Sequence, residues 1–236
     1  MIDIHCHILP GLDDGPHSES ESVRMAEIAC RDGISTIVAT PHIKDRVIPV
    51  ELIRQRICSL NDRLQKEGIG VEIISGADVY ALLDPSIIYS YTVNNTDYVL
   101  LEFPHTHMPR NAREILFQVI SAGKVPIITH PERNPTVIRR PETVMEFASE
   151  GLLLQITADS LLGRMGRDVM GCARFLLSRG VVHFIASDAH SFRGRVPVLS
   201  EALEVASRTI GSERALRLVR DNPMSVIRGE GLVNSD

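Results

Sequence analysis

The chain has 236 residues, 44% hydrophobic and 23% charged, a balance that excludes disordered, collagen-like and coiled-coil architectures. Lysine and arginine number 25 against 30 aspartate and glutamate, a net charge of −5. With no tryptophan and only 4% aromatic residues, neither a broad polyanion footprint nor a base-stacking platform is present, so no nucleic-acid partner is expected.

The first segment, Ile2–Cys6, reads as a strand, and six more short β-branched runs follow: Ser35–Ala39, Val71–Gly76, Tyr98–Leu101, Pro126–Thr129, Leu152–Ile156 and His183–Ala186. Between them, Ser20–Arg31, Val50–Lys66, Ala112–Ala122, Pro141–Ser149, Arg167–Ser178 and Leu199–Thr209 carry apolar residues at helical spacing. A glycine closes each helix, at Gly33, Gly68, Gly123, Gly151, Gly180 and Gly211. Alternating strands and helices predict an α/β fold around a parallel sheet. No linker, repeat or low-complexity tract divides the chain, so a single domain over residues 1–236 is expected. The cysteines, at 6, 30, 58 and 172, form no CxxC pair, which argues for a reducing compartment. No leader pattern opens the chain and no apolar run approaches about 18 residues, so a cytoplasmic protein without a membrane span is expected. No feature sets an oligomeric state.

The chemistry gathers where the strands end. The first runs into His5-Cys6-His7, the second into Thr40-Pro41-His42, the third into Gly76-Ala77-Asp78, the fourth into Leu101-Glu102-Phe103, the fifth into His130-Pro131-Glu132-Arg133 and the seventh into Ser187-Asp188-Ala189-His190. Only the sixth, near Gln155 and Thr157, ends without an imidazole or carboxylate. Delivery of ligand-type side chains from six of seven strand ends favours a closed barrel over an open sheet, because a barrel collects every strand's C-terminal end on one face. Imidazole and carboxylate together suit zinc, manganese or iron. Alternate residues of a strand share a face, so His5 and His7 can reach one ion while Cys6 points away. Asp13, Asp14 and His17 lie in the following loop and add two carboxylates and a histidine; for Asp13 and His17 a plain Asp-Gly turn is an equally good reading, for Asp14 the weaker one.

The opening segment Met1-Ile-Asp-Ile-His-Cys-His-Ile-Leu-Pro-Gly-Leu-Asp-Asp-Gly-Pro16, with Thr40-Pro-His42, Leu101-Glu-Phe103, His130-Pro-Glu-Arg133, Ser187-Asp-Ala-His190 and Asp221-Asn-Pro223, resembles the polymerase-and-histidinol-phosphatase (PHP) superfamily. Within it the chain is similar to the bacterial manganese-dependent protein-tyrosine phosphatases of capsule and exopolysaccharide synthesis. The resemblance implies a distorted seven-stranded (β/α)7 barrel of the PHP type and three divalent ions, Mn2+ before Fe or Zn. It assigns His5, His7, Asp78 and Asp188 to one ion, Asp78, Glu102 and His130 to a second, and Asp14, His42 and His190 to a third. Arg133 and Arg195 match its phosphate-binding arginines. At the bridging position the family usually carries glutamate, where this chain has the shorter Asp78.

The implied reaction is hydrolysis of a phosphate monoester by metal-activated hydroxide, without a phosphoenzyme. His42 could pass a proton to the leaving phenol where an ion does not engage it. The implied partner is a phosphotyrosine protein, the tyrosine-rich tail of a bacterial tyrosine kinase. Asp14, Asp78, Glu102 and Asp188 would repel phosphate by themselves, but three bound ions and two arginines turn the mouth into an anion trap. Cysteine-based phosphatase chemistry needs an arginine six positions after the nucleophile; those positions hold Leu12, Thr36, Leu64 and Ser178. Signatures of serine hydrolases, P-loop enzymes and zincins are missing as well. A PHP phosphatase of a small ester such as histidinol phosphate, a nuclease, and a non-catalytic metal-binding accessory protein are the competing readings. The net charge counts against the nuclease, the Asp-Asp-Gly-Pro loop against the small ester, and Asp78 is what motivates the accessory protein.

Overall fold

In the computed structural model, which describes residues 1–232, nine parallel strands form two sheets. The smaller runs in the order β1 (Ile2–Cys6), β2 (Thr36–Ala39), β4 (Glu72–Ser75). The larger contains β3 (His42–Ile43), β5 (Asp78–Tyr80), β6 (Tyr98–Glu102), β7 (Val125–Thr129), β8 (Leu153–Thr157) and β9 (Phe184–Ala186). All seven expected strands occur, but the count of seven is not what is observed, because β3 and β5 are additional. Both breaks have local causes. Pro41 has no N–H to donate, and Gly76 packs so tightly on Val38 that a Cβ there would collide with it. After each break the chain changes sheets, so β3 and β5 pair with each other at His42 and Asp78.

The sheets do not join into one continuous ladder. At their open edges β1 meets β9 through an isolated bridge between Cys6 and Ala189, and the backbone N–H groups of His7 and Asp188 donate to Ala189 and His5 carbonyls at 2.9 and 2.8 Å. Asp3, fully buried, ties the same seam: its carboxylate accepts from the Ser187 N–H at 2.9 Å and from the Ser187 hydroxyl.

Helices pack around the strands: α1 (Glu19–Arg31), α2 (Val50–Lys66), α3 (Pro85–Ile88), α4 (Ala112–Ser121), α5 (Pro135–Arg139), α6 (Glu142–Ser149), α7 (Ala158–Leu161), α8 (Arg167–Ser178), α9 (Ser200–Ile210), α10 (Ser212–Val219) and α11 (Asp221–Arg228). All six expected helices are present within one or two residues of their predicted ends, and the six closing glycines take φ between 69° and 87°. Five helices were not predicted, of which α3, α5 and α7 are single turns too short to show a period. Ser18 caps α1, accepting from the Glu21 N–H at 3.3 Å.

Two apolar layers support the site. A large one lies between strands and helices. A second holds Ile4, Val38, Leu100, Ile127, Leu153 and Phe184, one from each of six strands, and Val226 of α11 packs against them. The residues two further along on the same strand faces are Glu102, Thr129 and Gln155, so the apolar layer is the floor beneath the polar mouth. In β1 an extra residue between Asp3 and Cys6 forms a β-bulge. The bulge lets Ile4 join the floor while His5 still faces the mouth. Asn222 anchors α11, donating to the His183 carbonyl at 2.8 Å.

His183 accepts from the Leu154 N–H at 3.1 Å, and burial lowers its pKa from 6.5 to about 4. The unfolded chain then binds the proton more readily than the fold, so stability falls as pH drops from 6.5 toward 4, by up to about 1.4 kcal/mol per pH unit from this group. Denaturant unfolding at pH 7 and pH 5 in chelator should show a smaller acid loss in His183→Gln, which keeps an acceptor, than in the native chain; equal losses would remove His183 as a cause.

Candidate metal centre

All nine imidazoles and carboxylates singled out as ligands converge at the C-terminal ends of the strands. They fall into four groups whose ligand atoms lie within 4.8 Å of one another: His5, His7 and Asp188; His5, Asp78 and His130; His42, Asp78 and Glu102; and His7, Asp14, His42 and His190. Asp78 stands centrally, its Oδ2 lying 3.3 Å from His42 Nδ1, 3.7 Å from His5 Nε2 and 3.9 Å from His130 Nε2. Asp188 Oδ1 lies 3.4 and 3.3 Å from the Nε2 atoms of His5 and His7. Asp14, 66% exposed, faces His190 and His42 at 3.3 and 3.7 Å. Cys6 points away toward the Ala189 carbonyl.

Two of these residues have unusual backbones. His130 (φ 35°, ψ 47°) and Asp188 (φ 51°) are left-handed, a conformation that costs roughly 1–3 kcal/mol for such residues. His130 also precedes a proline, a setting that ordinarily favours extended backbone. Gly15, after Asp14, is required by close approach, because a Cβ there would run into the His7 carbonyl.

A supporting layer orients the imidazoles, and the sequence did not reveal it. Gln155 Oε1 accepts from His5 Nδ1 at 2.9 Å, Asp13 Oδ2 accepts from His7 Nδ1 at 2.7 Å, and the Asp188 carbonyl accepts from His190 Nδ1 at 3.0 Å. At His5 and His190, which burial keeps neutral, the bond takes the Nδ1 proton and leaves an Nε2 lone pair facing the cluster; His7 is protonated between its two aspartates and offers its Nε2 to an ion only on giving up that proton. Asp13 therefore does more than close a turn, and it also accepts the His42 backbone N–H at 3.0 Å. Gln155 lies on the one strand that ends without a ligand type, and that gap was its only signal. His105 and Lys44 also reach the site; their nitrogens stand 2.9 and 3.8 Å from the two Glu102 oxygens.

Charge is distributed unevenly. Burial lowers His5 to about 4 and His190 to about 2. His7 is equally buried, but its bonds to Asp13 and Asp188 outweigh desolvation and raise it to about 10. Asp13 falls to about 2, burial being overcome by His7. Asp188 is held well below the usual carboxylate range, burial being overcome by His5, His7 and Arg133. Arg133 and Arg195 both reach Asp188 Oδ2 and are 15% and 33% exposed.

The residues fit bound cations. Asp78 Oδ2, both Glu102 oxygens and His42 Nδ1 are buried without a hydrogen-bond partner, and the groups nearest Glu102 are His105 and Lys44. Leaving buried charge unmatched is costly, and mixed carboxylate and imidazole donors are what first-row divalent ions accept.

An α/β fold that gathers such donors at one end of parallel strands defines a class, candidate metalloproteins with a polynuclear centre. The family described as "Capsular polysaccharide synthesis, CpsB/CapC" matches residues 1–228, and the chain belongs to it. It is 37% identical over 219 residues to tyrosine-protein phosphatase YwqE of Bacillus subtilis, covering 90% of this chain and 86% of that one. With tyrosine-protein phosphatase CpsB of Streptococcus agalactiae it shares 30% over 239 residues, covering 97% and 98%. A crystal structure from work on YwqE and on CpsB of Streptococcus pneumoniae, described as unique metal-dependent tyrosine phosphatases, superposes with a TM-score of 0.92 at 34% identity, over 99% of this chain and 96% of that one.

Asp13→Ala should reduce divalent-ion affinity roughly 10- to 100-fold, the usual effect of losing the partner that orients a ligating histidine. Calorimetric titration with Mn2+ checks this, and undiminished affinity would mean that His7 keeps its orientation without Asp13.

Proposed function

We propose that the protein is a metal-dependent protein-tyrosine phosphatase acting in capsule or exopolysaccharide synthesis. Membership of the CpsB/CapC family and its tyrosine phosphatase relatives support this reading. The single observation that carries it is the set of buried, unpartnered carboxylate oxygens of Asp78 and Glu102 in a mouth that also holds Arg133 and Arg195.

Three divalent ions are proposed, manganese before iron or zinc. His5, His7, Asp78 and Asp188 would hold one, Asp78, Glu102 and His130 a second, and Asp14, His42 and His190 the third. Bound there, the ions would supply positive charge for the phosphoryl oxygens and acidify a water. Asp78 suits a shared role, since one oxygen is fixed by the Thr129 hydroxyl at 3.0 Å and the other is free among three imidazoles. Arg133 and Arg195 bind the phosphate, exchanging part of their contact with Asp188 for it. His42, 25% exposed, can pass a proton to the phenolate where no ion engages it. A phenol has a pKa of about 10, so its departure needs less help than that of an alkyl alcohol.

The mouth is open: Asp14 and His105 are 66% and 57% exposed, which suits a side chain presented by another protein better than an enclosed metabolite. The proposed partner is the tyrosine-rich tail of a bacterial tyrosine kinase. Among the described residues no helix is long and apolar enough to cross a membrane, and Cys30 and Cys58 are exposed free thiols, which supports a reducing cytoplasm. We read the two sheets as one distorted seven-stranded barrel, with β2 and β3, and β4 and β5, as two bent strands and the β1–β9 seam as its closure. Residues 1–236 are read as one domain, the last four lying outside the described residues.

Metal analysis of protein purified without chelator should find more than one ion per chain. Turnover of a phosphotyrosine peptide should exceed that of histidinol phosphate and stop with chelator. Less than one ion, or no turnover with any metal, would sink the enzyme reading; preference for histidinol phosphate would redirect it to a small ester. Asp188→Ala should abolish turnover with the circular-dichroism spectrum unchanged, and retained activity would mean the centre is misplaced. Asp78→Glu, restoring the usual family residue, should hold or raise turnover, measured as kcat on the same peptide.

A further inference from the structure

Glu132 is fully buried in the turn that follows His130, and none of the ligand groups includes it. Its Oε1 accepts from the Thr157 N–H at 3.0 Å and from the Thr157 hydroxyl at 3.1 Å. The same hydroxyl oxygen accepts from Arg133 Nη2 at 2.8 Å, and Arg133 Nε donates to Ser160 Oγ at 3.3 Å. A guanidinium only donates and a carboxylate only accepts, so the direction of this chain is fixed: Arg133 donates to Thr157, and Thr157 donates to Glu132. Two edges of the guanidinium are thereby held from behind, and Nη1 is left toward Asp188 and the mouth. With its one hydrogen given to Glu132, the Thr157 oxygen takes its second accepted bond from the Ser160 hydroxyl at 2.7 Å, which holds it in place at the start of α7.

Burying a carboxylate here is expensive unless a cation answers it, and Glu132 Oε2 finds no hydrogen bond. Arg133, reached through one hydroxyl, is the cation in the network. A buried charge with that single outlet holds the arginine more firmly than a neutral acceptor, because hydrogen bonds involving charged groups are about twice as strong as neutral ones.

We propose that Glu132 is the positioning residue for Arg133, acting through Thr157 to hold the guanidinium ready for phosphate before substrate arrives. The inference rests on the reading of Arg133 as a phosphate ligand, and it adds a residue that never touches the substrate. Such preorganisation favours binding, so its loss should appear in KM and in inhibition by product more than in kcat.

The test is a double-mutant cycle on the manganese-loaded enzyme, read as the competitive inhibition constant of inorganic phosphate and as KM and kcat for a phosphotyrosine peptide. Glu132→Gln keeps the shape and removes the charge, and it should raise the phosphate constant and KM about tenfold while moving kcat much less. Against Arg133→Ala the same change should have no further effect. An equal factor in both backgrounds, or no effect in either, would overturn the coupling. If Arg133→Ala weakens phosphate while Glu132→Gln does not, the positioning role fails and the arginine reading stands; if Arg133→Ala itself changes nothing, both fall. Should Glu132→Gln not fold, Thr157→Val must reproduce the weakening and Thr157→Ser must restore near-native values; equal values for those two would overturn the proposal.

Discussion

Asp78 and Glu102 bring negative charge into a site that water scarcely enters, and three of their four carboxylate oxygens meet no protein donor. A charge in that position must be neutralised or matched by a cation. Protonation of the neighbouring imidazoles answers it unevenly: burial holds His5 near 4, whereas the Asp78 carboxylate overcomes burial at His42 and His130 and raises both. Divalent ions solve the problem at once, and the surrounding structure is organised as though that solution were assumed.

The histidines are turned so that the Nε2 atoms of His5, His7 and His190 face the carboxylates. Gln155, Asp13 and the Asp188 carbonyl each take one Nδ1 proton, which fixes the tautomer and the ring plane together. The two left-handed residues, His130 and Asp188, sit beside fixed points of the fold: Pro131 follows the first, and Ser187, bound to the Asp3 carboxylate, precedes the second. Beneath lies a floor of buried apolar side chains packed against α11, which keeps water from screening the polar layer from below.

The mouth is also asymmetric. On one side Asp188 is gripped by Arg133 and Arg195, with Glu132 and Thr157 behind the first of them. On the other, Lys44 and His105 flank Glu102. An acidic protein with a net charge of −5 thus places Arg133, Arg195 and Lys44 around a carboxylate centre. Bulk charge describes its long-range behaviour, whereas the site is governed by groups within a few ångströms.

Much of this was legible in the chain. Apolar runs alternating with amphipathic segments specify strands and helices through local periodicity alone, so Ile2–Cys6, Val50–Lys66 and Arg167–Ser178 have the bounds their pattern predicts. Ligand types at the ends of six strands were visible because a parallel α/β sheet carries its chemistry there. Three things were decided only by tertiary structure. The strand break at Gly76 depends on Val38 packing against it, and the bulge in β1 depends on pairing with β2. The roles of Asp13, Gln155 and Glu132 depend on partners up to 150 residues away in sequence, because a hydrogen bond's direction is a property of both its ends. Residue types and their order determined which groups reach the mouth; the meeting of the two sheets at the bridge between Cys6 and Ala189 determined which of them face each other, and therefore which charges remain for an ion to meet.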